Sequence, residues 1–214
     1  MQRILGVLAT LVVVAVSSAV SAAIIPVFNT GNDSGGAVVA PGTTEIHYEL
    51  ISQPLGSSSM LETRSATDGC VGDNANSMWV NPTGSVHPAG LYVVERDFVL
   101  PGNPATAILT GSWSAGGSGT LYLNGDALSV HPSAVEGPCT HWTDFVVPQA
   151  SFLNGINTFR FEVSLSSENL VMLANLLRVE FHQNFVGGTP NGPPVVIMEP
   201  ELLVVIFGLV GALL

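Results

Sequence analysis

The stretch 154–163, Asn-Gly-Ile-Asn-Thr-Phe-Arg-Phe-Glu-Val, decides the fold class of this chain. It opens with Asn-Gly, a strong turn signal, and then alternates polar and apolar residues. Side chains on a strand point to opposite faces in turn. The alternation therefore predicts a strand that buries Phe159, Phe161 and Val163 and exposes Arg160 to water.

Two other segments, residues 45–50 and 177–182, repeat this alternation. Further strands are predicted at residues 90–100, 106–112, 119–123 and 144–147, with Gly-, Asn- and Pro-rich turns between them. Short alternating strands at such spacing are typical of an all-β fold, and we expect a single antiparallel β-sandwich over residues 24–183. In the two repeated segments, the predicted buried residues are Ile46, Tyr48, Leu50, Leu177, Val179 and Phe181, and the predicted water-facing residues are Glu45, His47, Glu49, Arg178, Glu180 and His182.

The charge balance excludes several classes of partner. The 214 residues include five Arg, no Lys and 16 acidic residues, which gives a formal net charge of −11. Nucleic-acid binding needs basic residues that displace counterions from phosphates, so we expect no nucleic-acid partner. Electrostatic attachment to an anionic membrane is excluded for the same reason. With 47% hydrophobic residues, the chain is also unlike a disordered protein.

The N-terminal residues 1–23 have the three parts of a secretory signal peptide. Arg3 provides the positive charge, residues 4–16 form an apolar run, and small residues follow. We expect an N-terminal signal helix that is removed after Ala22 or Ala23. The alternative is a membrane anchor that is never cleaved, which the short run and the small residues that follow it disfavour.

The C-terminal region divides into a linker and an apolar tail. Residues 184–198 include a Gly- and Pro-rich stretch that is typical of a linker, and the segment 199–214 follows it. Its uninterrupted apolar part, Leu202–Leu214, would extend only about 20 Å as a helix, whereas a hydrocarbon core is ~30 Å thick. We therefore expect transient membrane contact through this tail, not a stable span.

The tail resembles the PEP-CTERM sorting signal of Gram-negative bacteria. Glu199 and Pro200 match the last two positions of its Pro-Glu-Pro motif, while Met198 replaces the first proline and the terminal Arg cluster is missing. The resemblance implies export, processing by an exosortase-like sorting enzyme, and a place at the cell surface or in the extracellular matrix. Proteins with this signal occur typically in species that produce exopolysaccharide and biofilm.

Residues 85–182 resemble a galactose-binding-like jelly roll. The similarity rests on the order and spacing of several segments, which are 89–92, 98–101, Ala105–Trp113, Thr120–Gly125 with its Asn-Gly hairpin, Phe152–Val163 and Leu177–Glu180. PEP-CTERM surface proteins with this domain also share the Pro26–Gly31 stretch and the His47-Tyr48 pair. The resemblance implies a jelly-roll topology, although one fold hosts many functions.

Such domains often hold a structural calcium ion between an early loop and the last strand. The resemblance places its ligands at Asp33 and Glu180, because calcium prefers carboxylate and carbonyl oxygens. The alternative is an ordinary acidic turn at Asp33, which we prefer because only two carboxylates are offered. We expect no other cofactor.

The two cysteines, Cys70 and Cys139, lie in predicted loops. An even pair in an exported protein predicts a disulfide, and the alternative is two free thiols. Cys139 also lies close in sequence to His131 and His141, but these three residues lack the spacing of a zinc site.

Trp79 lies beside Asn81 in a loop-like region, so these two residues are the predicted carbohydrate contacts. Trp113 and Trp142 are predicted to belong to the core, the commoner position of a strand tryptophan. No catalytic residue is predicted, because nucleophile-elbow, zinc-protease and phosphate-loop motifs are missing from the sequence. We therefore expect a non-catalytic surface or matrix protein whose sandwich binds polysaccharide or packs within the extracellular matrix. The alternative is an accessory or catalytic domain of a glycan-active enzyme.

Overall fold

The computed structural model describes residues 22–84, 87–131, 139–166 and 175–186. Most of the predicted signal peptide, nearly all of the predicted linker and the whole predicted sorting tail, with Glu199 and Pro200, lie outside the described residues. The predictions about them stay predictions.

The described chain is built from β-strands and two short 3-10 turns, Pro104–Thr106 and Gln149–Ser151. The strands are β1 (Ala23–Ile24), β2 (Glu49–Ser52), β3 (Leu61–Arg64), β4 (Trp79–Pro82), β5 (Gly90–Val99), β6 (Ala107–Ala115), β7 (Ser118–Leu123), β8 (Asp126–His131), β9 (Thr143–Val146), β10 (Ile156–Leu165) and β11 (Leu177–Val186). The all-β class is therefore confirmed. The last strand ends at Val186, beyond the boundary at residue 183 that the sequence suggested.

The strands form two antiparallel sheets. One has the order β3-β4-β11-β6-β9, with β1 paired to β11, and the other has the order β2-β5-β10-β7-β8. Each sheet also contains neighbours that are far apart in sequence, as in the pairing of β10 with β5 and of β11 with β6. This non-local pairing brings both ends of the described chain together, because Ala23 lies opposite Val186.

The inner faces of the two sheets share one hydrophobic core. Trp113 on β6 packs against Phe161 on β10 at 5.8 Å between ring centres, and Phe145 on β9 packs against Phe159 on β10 at 6.1 Å. Phe159, Phe161 and Val163 are all 0% exposed, so the alternation in the deciding stretch is confirmed. The two sheets therefore pack face to face, and Phe159, Phe161 and Val163 lie in the core between them.

Asparagine side chains fix the two turns that frame β10. The β7–β8 hairpin turns at Asn124 and Gly125, whose φ angles of 52° and 92° are the left-handed values that a two-residue hairpin requires. The buried Asn157 side chain accepts hydrogen bonds from Leu153 N and from Asn124 Nδ2 at 2.8 and 2.9 Å. Residues 154–157, Asn-Gly-Ile-Asn, thus link the turn before β10 to the β7–β8 hairpin.

The alternation rule is wrong at two places. On β11, Arg178 and Glu180 were expected to face water, but they are 0% and 9% exposed. This strand lies between β4 and β6, and the loop before β4 covers the outer face of its first residues, so both faces are buried over residues 177–180.

In residues 45–50 the expected pattern is partly reversed. Ile46 is 61% exposed, whereas Glu45 is buried. The Glu45 carboxylate accepts hydrogen bonds from the backbone N–H groups of Gly31 and His47, both at 2.8 Å. A carboxylate with several N–H donors is stable in a buried position, and this loop-organising role overrides the strand pattern.

Candidate functional site

The predicted carbohydrate contacts at Trp79 and Asn81 are wrong. Both residues lie on β4, and their side chains are buried. Trp79 Nε1 donates to Val71 O at 3.0 Å, and Asn81 Oδ1 accepts from Leu176 N at 2.7 Å. A fully buried ring cannot stack on a sugar, so these side chains stabilise the fold.

The predicted disulfide between Cys70 and Cys139 is confirmed. The two Cα atoms are 4.6 Å apart, and Val71 N donates to Cys139 O at 2.7 Å beside the bridge. The bond joins the loop before β4 to the segment that leads into β9. Disulfides persist in oxidising compartments, which is where this bond would be stable.

The buried Arg178 side chain lies beneath these joined segments. Its Nε donates to Ser77 Oγ at 2.6 Å, Nη1 donates to Gly72 O, and Nη2 lies 3.3 Å from Glu180 Oε1. Burial lowers the pKa of Arg178, and the neighbouring carboxylates of Glu180 and Asp73 oppose that shift. The saturation of this guanidinium by protein acceptors indicates a structural role.

The carboxylates proposed for calcium are occupied by protein donors. Glu180 Oε1 accepts from Asn74 Nδ2 and from Ser77 Oγ, both at 2.6 Å, in addition to its ion pair with Arg178. Asp33 Oδ1 accepts from the backbone N–H of Gly35 at 2.8 Å. Among the described residues, no group of three or more His, Cys, Asp or Glu side chains is arranged to hold a metal ion. The geometry at Asp33 matches the acidic-turn alternative.

The histidines near Cys139 form a stack. The rings of His131 and His141 lie 4.8 Å apart and are nearly parallel, and His131 Nδ1 is 2.7 Å from Thr143 Oγ1. Because Cys139 is used in the disulfide, these residues do not form a set of metal ligands.

A Ser-His-Asp cluster that sequence reasoning missed lies on the outer face of the six-stranded sheet. Ser112 Oγ donates to Asp144 Oδ1 at 2.7 Å and lies 3.3 Å from His182 Nε2. In a nucleophilic triad the acid orients the imidazole, which then takes the proton from the hydroxyl. Here the hydroxyl bonds directly to the acid, so the cluster lacks the order that nucleophilic catalysis needs.

One concave surface among the described residues combines apolar and polar side chains in a groove with two lobes, which we call the Arg96 groove. Its polar lobe has a volume of about 140 Å³ and its apolar lobe about 340 Å³. Both lobes share Arg96 and Asp97. The polar lobe is further lined by Ile46, His47, Glu49, Ile51 and Glu95, and the apolar lobe by Pro26, Phe28, Phe98, Val99 and Ile156.

The groove exists because β2 covers only part of the edge of β5. The paired residues of β2 lie opposite Val93, Val94 and Glu95, so β5 has no β2 partner from Arg96 to Val99. The chain segments around Pro26 and His47 pass this uncovered edge without pairing to it. Exposed apolar side chains remain there, with Val99 58% and Ile156 64% exposed.

The centre of the groove is held by stacked rings and a bound guanidinium. The rings of Phe28 and His47 are parallel at 4.1 Å, and the Arg96 guanidinium lies 5.6 Å from the centre of the Phe28 ring. Arg96 donates from Nη1 to His47 O at 3.1 Å and from Nη2 to Pro26 O at 3.2 Å. These contacts join three distant parts of the chain, so the wall of the groove is formed before any ligand arrives.

Alternating patterns in the sequence contain no signal for this groove. The Pro26–Gly31 stretch and the His47-Tyr48 pair supply part of it, but they stand out in the sequence only through the resemblance described above. Tyr48 itself lies in the core, where burial and the nearby Glu45 carboxylate raise its pKa well above the ordinary value.

No protein-family model, no curated protein and no solved structure matches this chain. Within the ranges that the structure describes, no helix has the length and apolar character to span a membrane.

Proposed function

We propose that this protein is an exported, non-catalytic component of the cell surface or extracellular matrix of a Gram-negative bacterium, and that it binds polysaccharide in the Arg96 groove. The proposal includes removal of the signal peptide, a sandwich of jelly-roll topology, and sorting of the 199–214 tail by an exosortase-like enzyme. The Cys70–Cys139 bond supports it, because disulfides are typical of exported proteins.

The single observation that carries the binding function is the division of the groove into an apolar and a polar lobe. A pyranose ring has an apolar C–H face and a rim of hydroxyl groups. Phe28, Val99 and Ile156 offer apolar surface to the ring face. In the adjoining polar lobe, the carboxylates of Glu49 and Asp97 can accept hydrogen bonds from hydroxyl groups.

The alternative is an accessory or catalytic domain of a glycan-active enzyme. Glycoside hydrolysis needs two carboxyl groups on opposite sides of a scissile bond. The groove contains carboxylates, so the experiment below measures cleavage of the polysaccharide as well as its binding.

The binding test uses the purified full chain and a panel of soluble neutral polysaccharides, with affinity measured by calorimetry and product release by chromatography. We expect binding without cleavage. Replacing the half-buried Phe28 by Ala should weaken binding about tenfold, because one aromatic contact is lost. Ile156→Ser provides a second test at an exposed position, and Val130→Ser is its matched control on β8, where Val130 is 67% exposed.

Polysaccharide binding of native affinity in both groove variants would overturn the proposed site. Failure of the native protein to bind any polysaccharide in the panel would overturn it as well. Release of shortened chains would establish the enzyme alternative. Export is tested separately by mass spectrometry of protein from the envelope and medium, where an N-terminus at Ala23 or Ile24 is expected. Intact Met1 in a cytoplasmic fraction would contradict export.

A further inference from the structure

We infer that the Arg96 groove selects a polysaccharide whose sugars carry free amino groups, such as a de-N-acetylated amino-sugar polymer. This inference rests on the polysaccharide-binding function proposed above and adds the chemical class of the ligand.

The first argument is the charge of the polar lobe. Three carboxylates, those of Glu49, Glu95 and Asp97, line it. The only cation among its lining residues is Arg96, whose guanidinium already donates to the carbonyls of His47 and Pro26. The lobe therefore has an excess of negative charge.

The second argument is the position of Glu49 directly opposite Glu95 on neighbouring strands. Like charges in this arrangement destabilise a sheet. Arg160 compensates part of the cost, since its Nη1 lies 3.7 Å from Glu95 Oε1, but its closer partner is Glu162 at 2.8 Å. In the described part of the chain, no cationic side chain pairs with Glu49. A cationic ligand in the polar lobe would remove this repulsion.

The third argument distinguishes an amino sugar from a metal ion. A bare metal ion would make no use of the apolar lobe that continues past Arg96 to Phe28 and Ile156. An amino sugar uses both lobes, because its ammonium group pairs with the carboxylates while a neighbouring ring covers the apolar side chains.

The net charge of −11 further disfavours polyanions such as uronate polymers.

The test compares two hexasaccharides that differ only in N-acetylation, a hexamer of glucosamine and a hexamer of N-acetylglucosamine. Their affinities for the full chain are measured by calorimetry at low salt and slightly acidic pH. We expect the glucosamine hexamer to bind about tenfold more tightly, which corresponds to one charge-assisted hydrogen bond. Added salt should reduce this preference, because screening weakens partly exposed ion pairs.

Glu49→Gln is the test variant, because it keeps the shape of the side chain and removes the charge. It should abolish the preference, because it weakens binding of the glucosamine hexamer more than binding of the acetylated hexamer. Glu162→Gln is the matched control, since Glu162 lies on the same sheet, pairs with Arg160 and is not among the residues that line the groove. This control should retain the preference.

The outcomes separate the inference from the function on which it rests. Equal affinity for both hexamers, with binding that Phe28→Ala weakens, would overturn the amino-sugar inference and leave polysaccharide binding intact. Failure of the full chain to bind either hexamer or any member of the neutral panel would overturn both. Two competition results would overturn the selectivity for amino sugars. One is poly-L-lysine competing for the groove as well as the glucosamine hexamer does. The other is calcium chloride displacing the glucosamine hexamer at equimolar amounts.

Discussion

The guanidinium of Arg178 lies 5.1 Å from the centre of the Trp142 ring, where the loop tied by Cys70 meets the segment that carries Cys139. Arg178 is 0% exposed on a central strand, and a buried charge is stable only when hydrogen-bond acceptors surround it. This arrangement explains why residues 177–180 are buried on both faces, although the alternation in their sequence suggests one water-facing side.

Arg178→Met should lower the free energy of unfolding by ~3–5 kcal/mol, because it removes the cation paired with the buried Glu180 carboxylate and leaves several carbonyl groups without their donor. Urea denaturation of the purified chain measures the change. Arg160→Met is the control, since Arg160 is exposed on β10 and should change stability by about 0.5 kcal/mol or less. Equal losses in the two variants would contradict the structural role of Arg178.

Phe161→Ala should cost ~3–5 kcal/mol, because it removes a fully buried ring that packs against Trp113 and leaves a cavity. Arg160→Ala, one position away on the opposite face, should cost about 0.5 kcal/mol or less. Thermal and urea denaturation of both variants provide the comparison. A large loss at Arg160 would mean that the faces of β10 are assigned incorrectly.

Loss of the disulfide should destabilise the chain by ~4 kcal/mol, since the bridge closes a loop with a sequence separation of 69. Non-reducing peptide mapping should recover Cys70 linked to Cys139. The single variant Cys70→Ser and the double variant Cys70→Ser/Cys139→Ser should lose the same amount, because either change removes the whole bond. A single variant as stable as the native protein would contradict a stabilising bridge.

Stability should fall as the pH falls below the ordinary His pKa of 6.5, in part because of His87. Burial lowers the pKa of His87, the Arg64 cation lowers it further, and the Glu62 carboxylate opposes them. The unfolded chain therefore takes up a proton at a higher pH than the folded chain does, so acid favours unfolding.

His87→Gln should make stability less dependent on pH between 7 and 5 than it is in the native protein. The native protein, measured in the same series, is the control. Urea titrations at several pH values measure this, and an unchanged slope in His87→Gln would exclude the contribution.

The amino-acid sequence by itself determined the all-β class, the buried face of β10, the Asn124-Gly125 hairpin and the cysteine pairing. These features depend on local alternation, on residues that tolerate left-handed turns, and on an even number of cysteines. Tertiary structure decided the burial of Trp79, Glu45 and Arg178, because their hydrogen-bond partners lie in loops that strand alternation does not reveal.

The Arg96 groove also belongs to the features that only the tertiary structure decided. Its walls come from the N-terminal segment at Phe28, the turn at His47 and the uncovered edge of β5, which are far apart in the sequence. Periodicity reports which face of one strand is buried, but it carries no information about which distant segment stops short of pairing along an edge. That shortfall in pairing creates the groove, and the β2–β5 pairing beside it places Glu49 opposite Glu95.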